Sequence, residues 1–313
     1  MGSGVVALPV RRTLTAVTVL WRFGRPHTVV GTALSVLGIF AIAADRLGPL
    51  PSGEAAFHLV WTLVAALAVN VFIVGLNQLE DVGIDRINKP RLPLAAGDLT
   101  HRQGQAIVAA AFVLPIVLAV TQGWIELVAV LGAMAIGWAY SSPPLRLKRY
   151  PVAASASISI VRSLVVNLGV YLHFAGAFGD GTRVAPAVWA LTLFVLPFSF
   201  AIAVLKDVPD AEGDRAFSVR TFTVRLGPKL ALGMGMAALT VAYLGMAVLG
   251  PLAVPEAQPV VLVATHVAAL VALWGWAARL DLTDHDAVVR FYMRVWVLFF
   301  CEYLAVPAAV LLA

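Results

Sequence analysis

The stretch "HLVWTLVAALAVNVFIVGLNQLEDVGID", residues 58–85, decides the fold. Residues 58–79 are almost continuously apolar, and a run of roughly 20 such residues suffices for a helix to cross a hydrocarbon core. The run then ends on Asn77, Glu80, Asp81 and Asp85. A membrane helix that finishes in acid needs a physical reason.

Working outward, eight more apolar runs lie near 28–44, 105–121, 124–140, 152–176, 186–205, 229–249, 258–277 and 291–312. Glycine and proline inside some of them do not argue against spanning, because membrane helices tolerate both. Hydrophobic residues make up 61% of the 313 and charged residues only 12%. A soluble domain usually carries about twice that charged fraction. The sequence therefore predicts an all-α polytopic membrane protein with nine spans. No linker divides it, and we read a single domain over 1–313.

Charge gives the orientation. Nine spans put the N-terminus and the loops at 80–104, 141–151, 206–228 and 278–290 on one side. With Lys229 at a loop edge, that side holds 18 Lys and Arg, against Arg46 and Arg183 on the other. The positive-inside rule assigns the basic side to the cytoplasm, in a bacterial cell membrane. The net charge of +5 is thus membrane topology and implies no nucleic-acid partner. Residues 5–10 are too short for a signal-peptide core, and the N-terminus lacks the hydroxyl residue of a myristoylation site. Residues 14–24, "LTAVTVLWRFG", read as an amphipathic helix on the membrane surface. Cys301 is the only cysteine, which excludes intrachain disulfides and multi-thiolate metal sites.

A second acidic stretch, "KDVPDAEGD" at 206–214, follows the sixth span on the same side as the first. Asn77, Asp81 and Asp85 are spaced i, i+4, i+8, which keeps them on one helix face. Asp207, Asp210 and Asp214 are spaced i, i+3, i+7, again one face if helical. Solvated helix ends are the bland alternative. Crowded carboxylates repel one another, and a divalent cation removes the conflict. Oxygen ligands without His or Cys suit Mg²⁺, which is commonly completed by phosphate oxygens. Two such ends facing each other would clamp a magnesium-bridged diphosphate. Arg22, Arg25, Arg146, Lys148 and Lys206 lie on the same side and are candidate phosphate ligands, with ordinary positive-inside decoration the alternative for any one of them.

"NQLEDVGIDRINKPRLPLAAG" at 77–97 resembles the first signature of the UbiA superfamily of intramembrane prenyltransferases. Its NKPxLPLA continuation is similar to the homogentisate prenyltransferase branch. "YSSPPLRLKR" at 140–149, "KDVPDAEGDR" at 206–215 and "RPHT" at 25–28 resemble further family motifs. One departure is Gly83, where a side chain is usual; it threatens to loosen the helix between Asp81 and Asp85. The resemblance covers nearly the whole chain. It implies a bundle around a central cavity, capped by the charged cytoplasmic loops, with Mg²⁺ held through Asn77, Asp81, Asp85, Asp207, Asp210 and Asp214. Arg25, Arg146, Lys148 and Lys206 would bind the prenyl diphosphate, and an aromatic acceptor, homogentisate in this branch, would lose its carboxyl as CO₂. No obligate protein partner is implied.

Span five carries Arg162, Asn167 and His173 in an apolar setting. Ionisable groups inside a span cost about 2.5–3.5 kcal/mol on insertion scales and are functional candidates by default. Arg162 and Asn167, with Tyr140, are candidates for the acceptor pocket; interhelical hydrogen bonding is the alternative. Five residues apart on an α-helix, Arg162 and Asn167 fall about 140° off one face. His173 is expected to meet interfacial water. Asn70, Arg294 and Glu302 are expected to be internal polar contacts, and most tryptophans to be interfacial anchors. Rival readings are another acceptor such as 4-hydroxybenzoate, an intramembrane terpene cyclase, or a secondary transporter. The crowding of acid at one face disfavours transport.

Overall fold

The computed structural model describes residues 8–47, 52–179 and 183–313. Residues 1–7, which carry most of the targeting expectation, lie outside the described residues. Among the described residues the chain is helical throughout, without a strand, and nine helices are long and apolar enough to cross a membrane. The protein is an integral multi-pass membrane protein.

A surface helix, α1 (Leu8–Phe23), leads into α2 (Pro26–Leu47) and α3 (Ser52–Glu80). After α3 come two short pieces, α4 (Val82–Asn88) and α5 (Pro93–Ala96). The spans α6 (His101–Gln122) and α7 (Trp124–Ser141) follow. Span five is composite: α8 (Pro151–Ser159), a π-helical stretch Ile160–Leu168, and α9 (Gly169–Ala177). Then come α10 (Pro186–Leu205) and the short α11 (Ala211–Ala216) and α12 (Phe222–Leu226). The chain closes with α13 (Pro228–Ala253), α14 (Pro259–Ala277) and α15 (His285–Leu311).

Local chemistry sets the boundaries. Proline stands at the first turn of α5, α8, α10, α13 and α14, where its missing N–H costs nothing. Thr100 and Gln103 form a reciprocal capping box at the start of α6. Helix α10 is the most deeply buried span, packed by α13, α8, the π-helical stretch and α15. Its Val195, Phe198 and Ile202 are shut away with Phe299 and Tyr243 in the main core. Polar contacts between helices are sparse. Asn70 Nδ2 donates to Gly24 O at 3.1 Å, and His266 Nε2 lies 3.1 Å from Glu302 Oε1. These two bear out the expected internal contacts. Arg294 does not; it is exposed and stacked 5.4 Å from the centre of the Trp276 ring.

Candidate active site

Asn77 ends α3, and Asp81 stands between α3 and α4 with φ −114° and ψ 17°, outside helical geometry. The helix therefore breaks at Asp81, not at Gly83. Backbone bonds from Asp81 N to Asn77 O (3.0 Å) and from Asp85 N to Asp81 O (2.8 Å) carry the chain across the break. The three residues stay together: Asn77 Nδ2 donates to Asp81 Oδ2 at 2.9 Å. Asp81 and Asp85 are 8% and 5% exposed.

The second acidic stretch meets the first. Helix α11 packs on α4, and the Gly213 N–H donates to Asn88 Oδ1 at 2.9 Å. Lys89 at the end of α4 pairs with Asp210. Two glycines permit this approach. A Cβ on Gly83 would stand 2.9 Å from the Phe217 ring, and one on Gly213 would stand 2.6 Å from Asn88 Cγ. Gly83, the departure from the family pattern, is thus the contact surface for the other motif. Glu80 and Glu212 are exposed, and Glu80 Oε1 accepts from Ser142 Oγ at 3.5 Å.

Most of the expected cations are here, held by residues of the acid motifs or beside them. Lys148 Nζ donates to Asp81 Oδ2 at 2.6 Å, and Arg146 Nη2 to Asp81 Oδ1 at 3.2 Å. Arg25 Nη2 donates to Asn77 Oδ1 at 3.1 Å. Lys206 Nζ donates to the Tyr140 hydroxyl at 2.7 Å and lies 3.5 Å from Asp207 Oδ1. Arg25 and Arg146 hold left-handed backbone, φ +56° and +39°. Such conformations cost about 1–3 kcal/mol outside glycine and cluster at ligand clamps. Arg22 is elsewhere: it bonds Asp98 at 2.8 Å and the Arg91 carbonyl, and does not line the cavity below. Lys89, which the sequence reading passes over, is the cation that pairs with the second acid stretch. Its only sequence signal was its position four residues after Asp85.

Below the acids a cavity of about 240 Å³ runs into the bundle. Arg25, Asn77, Tyr140 and Lys206 line its head, and Ala66, Ala129 and Val130 are among its apolar walls. Arg162 also lines it. Its guanidinium lies 4.6 Å from the Trp296 ring centre and 5.7 Å from that of Phe299. Among the described residues no carboxylate pairs with it. Asn167 is turned away, fully buried and accepting from the Tyr303 hydroxyl at 2.7 Å. So of the two, Arg162 faces the cavity and Asn167 is an interhelical contact. The 140° estimate assumed an α-helix. The stretch is π-helical, with i→i+5 bonding that brings residues five apart much closer in angle. His173 corrects a further expectation: it is 3% exposed, 3.5 Å from Glu126, and not in interfacial water. Trp296 likewise belongs to the cavity wall, whereas Trp124 at 72% exposure fits an anchor.

The acids are in electrostatic conflict. Burial, then repulsion from Asp210, pushes Asp207 up to about 6 even beside Lys206. Burial, then Asp207 and Asp210, pushes Asp214 up to about 7. Burial raises Asp85 too, and its Oδ2 is buried without a hydrogen-bond partner. An orphaned carboxylate oxygen among raised acids suits a hard divalent cation. Among the described residues, though, no three acid, imidazole or thiol groups are grouped to hold a bare ion. A cation here would be completed by water or phosphate oxygens, as Mg²⁺ commonly is.

Comparison with known proteins decides the lineage. The sequence profile of the UbiA prenyltransferase family matches residues 17–298. The chain belongs to that family. It is 41% identical to homogentisate phytyltransferase of Synechocystis sp. over 95% of this chain and 96% of that one. The chloroplastic homogentisate phytyltransferase 1 of Arabidopsis thaliana is 37% identical over 92% of this chain and 74% of that one. Among solved structures, a UbiA homologue from Archaeoglobus fulgidus bound to GPP and Mg²⁺ superposes with a TM-score of 0.61. It is 19% identical over 93% of this chain and 99% of that one, a likeness of fold. The UbiA member described here is a prenyltransferase, and its buried acid pair and apolar cavity are a fitting place for that chemistry.

Proposed function

We propose that the chain transfers a prenyl group of phytyl or geranylgeranyl type from its Mg²⁺-bound diphosphate to homogentisate, with loss of CO₂. The donor's C–O bond breaks with its electron pair on the diphosphate, and a ring carbon forms the new C–C bond. The ring proton is lost, the side-chain carboxylate leaves as CO₂, and the carbon it leaves takes up a proton.

Asn77, Asp81, Asp85, Asp207, Asp210 and Asp214 would hold the metal, which neutralises charge on the departing diphosphate. Arg25, Arg146, Lys148, Lys206 and Lys89 would exchange their present partners, carboxylates for most and the Asn77 amide for Arg25, for phosphate oxygens. The left-handed backbone at Arg25 and Arg146 supports that role, because strain of this kind persists where a ligand is gripped. The apolar walls exclude water from the allylic cation, which water would otherwise trap.

One observation carries the acceptor class: Arg162 faces the cavity with aromatic neighbours and, among the described residues, no counter-ion. A buried charge is costly unless paired, and an acceptor carboxylate would pair it. A flavonoid-type phenol or a terpene cyclase substrate has no such group. Relatives in the homogentisate branch favour that acid over 4-hydroxybenzoate. Purified protein supplied with geranylgeranyl diphosphate, Mg²⁺ and carboxyl-labelled homogentisate should release labelled CO₂ in step with prenylated product. Prenylation of 4-hydroxybenzoate with homogentisate ignored would overturn the branch. On the charge asymmetry, we assign the N-terminus and the acid motifs to the cytoplasmic side of a bacterial cell membrane.

A further inference from the structure

The cavity has a second end that the proposed chemistry does not use. Thr62, in the first half of α3, and Glu126, near the start of α7, both line it and are 2% and 4% exposed. Thr62 Oγ1 donates to Glu126 Oε2 at 2.9 Å. Behind them His173 Nε2 lies 3.5 Å from the same carboxyl oxygen, and the His173 ring packs 5.2 Å from His58 and 5.3 Å from Phe174. At this end the cavity therefore meets a buried polar pair set in an apolar wall.

Two helices give its depth independently. Along α3, Asn77 at the head and Thr62 at the foot are fifteen residues apart, about 22 Å at the helical rise. Along α7, Tyr140 at the head and Glu126 at the foot are fourteen apart, about 21 Å. A four-isoprene chain, extended, fills that length; a nine-isoprene chain overruns it.

We propose that the Thr62–Glu126 pair is the floor of the prenyl-tail site and sets the longest chain the enzyme accepts. This rests on the reading that a prenyl diphosphate lies with its head at the acid motifs. An apolar chain end pressed against the pair strips a carboxyl of contacts it cannot replace, so advance past the floor is opposed by polarity as well as by bulk. Ala66, one turn above Thr62 on α3, lines the channel with a small side chain and leaves room for the last part of the tail.

The test is a competition among diphosphates of two, four and nine isoprene units. It is read by product formed on homogentisate and, without acceptor, by the rise in melting temperature that each donor gives with Mg²⁺. Glu126→Ala should raise the nine-unit to four-unit ratio at least tenfold in both readouts. Thr62→Val keeps the volume, serves should Glu126→Ala fail to fold, and should move the ratio in the same direction by a smaller factor. Ala66→Phe should lower the four-unit to two-unit ratio at least tenfold. Ratios within about twofold of wild type in the folded variants would show the pair to be a helix–helix contact and overturn the floor. Wild type that ranks the donors by stabilisation but makes no product on homogentisate would overturn the acceptor reading and leave the floor standing.

Discussion

The backbone N–H of Gly213 and the side-chain carbonyl of Asn88 are joined at 2.9 Å, a single bond between two acid motifs more than a hundred residues apart in sequence. With Lys89 on Asp210, it makes one site of two helix ends.

That tie should be necessary. Gly213→Ala puts a Cβ 2.6 Å from Asn88 Cγ, so the Asn88 side chain must swing away or α11 must shift, and either movement breaks the hydrogen bond and disturbs the packing around it. Asn88→Ala removes only the hydrogen bond, worth about 1 kcal/mol. Steady-state kinetics should give a larger loss of kcat/KM for Gly213→Ala than for Asn88→Ala. Equal rates for Gly213→Ala and wild type would dissolve the joint site.

Asp81 receives Asn77, Arg146 and Lys148, and Asp210 receives Lys89. Asp81→Ala and Asp210→Ala should each lower Mg²⁺-dependent turnover by about 100-fold or more, on the scale of losing one preorganised electrostatic contact. Lys148→Ala should in addition destabilise the fold by about 1.5–3 kcal/mol, the scale of one charge-assisted hydrogen bond, because Asp81 keeps Arg146 and Asn77. Denaturation in detergent separates the two effects.

Acidity and metal should compete. Folding raises Asp207 to about 6 and Asp214 to about 7, above their unfolded values. The metal-free protein therefore loses stability as pH climbs from the ordinary carboxylate range through about 7, where the buried acids are forced to ionise. Bound Mg²⁺ offsets that loss only once the protons have gone. The rise in melting temperature from Mg²⁺ and diphosphate should be large at about pH 8 and fade as pH falls below about 6. A rise that is the same at both would separate these acids from the metal. Chelation by EDTA should abolish turnover and addition of Mg²⁺ restore it.

Arg162 should govern the acceptor and not the donor. Arg162→Ala should raise KM for homogentisate at least tenfold while leaving donor stabilisation intact, as expected for loss of a charge-assisted pair of about 1.5–3 kcal/mol. Arg162→Lys keeps the charge but loses the flat face against Trp296, so it should recover only part of that loss. An unchanged KM in both would remove the carboxylate contact.

Much was legible before any fold. Nine apolar runs and an acid-tipped helix are local properties: span length is set by hydrocarbon thickness, and spacing along one helix fixes which residues share a face. The same sequence marked Asp81, Asp210, Arg146 and Lys148. It misled wherever a neighbour chose the outcome. Arg22 went to Asp98, and Lys89 paired with Asp210, because loop geometry decides which flexible cation reaches which carboxylate. Arg162 and Asn167, drawn nearer in angle by a π-helical stretch that no α-helical periodicity contains, were told apart only by their neighbours, the Trp296 ring for one and the Tyr303 hydroxyl for the other. His173 and Glu126, far apart in the chain, became buried partners only when α7 packed on α9. The residue pattern alone set the spans and the chemistry at their ends, since both follow from the chain's own solvation and period. Only tertiary packing decided which buried charge, among the described residues, stayed without a partner and where the cavity stops, because burial and pairing belong to the helices that meet.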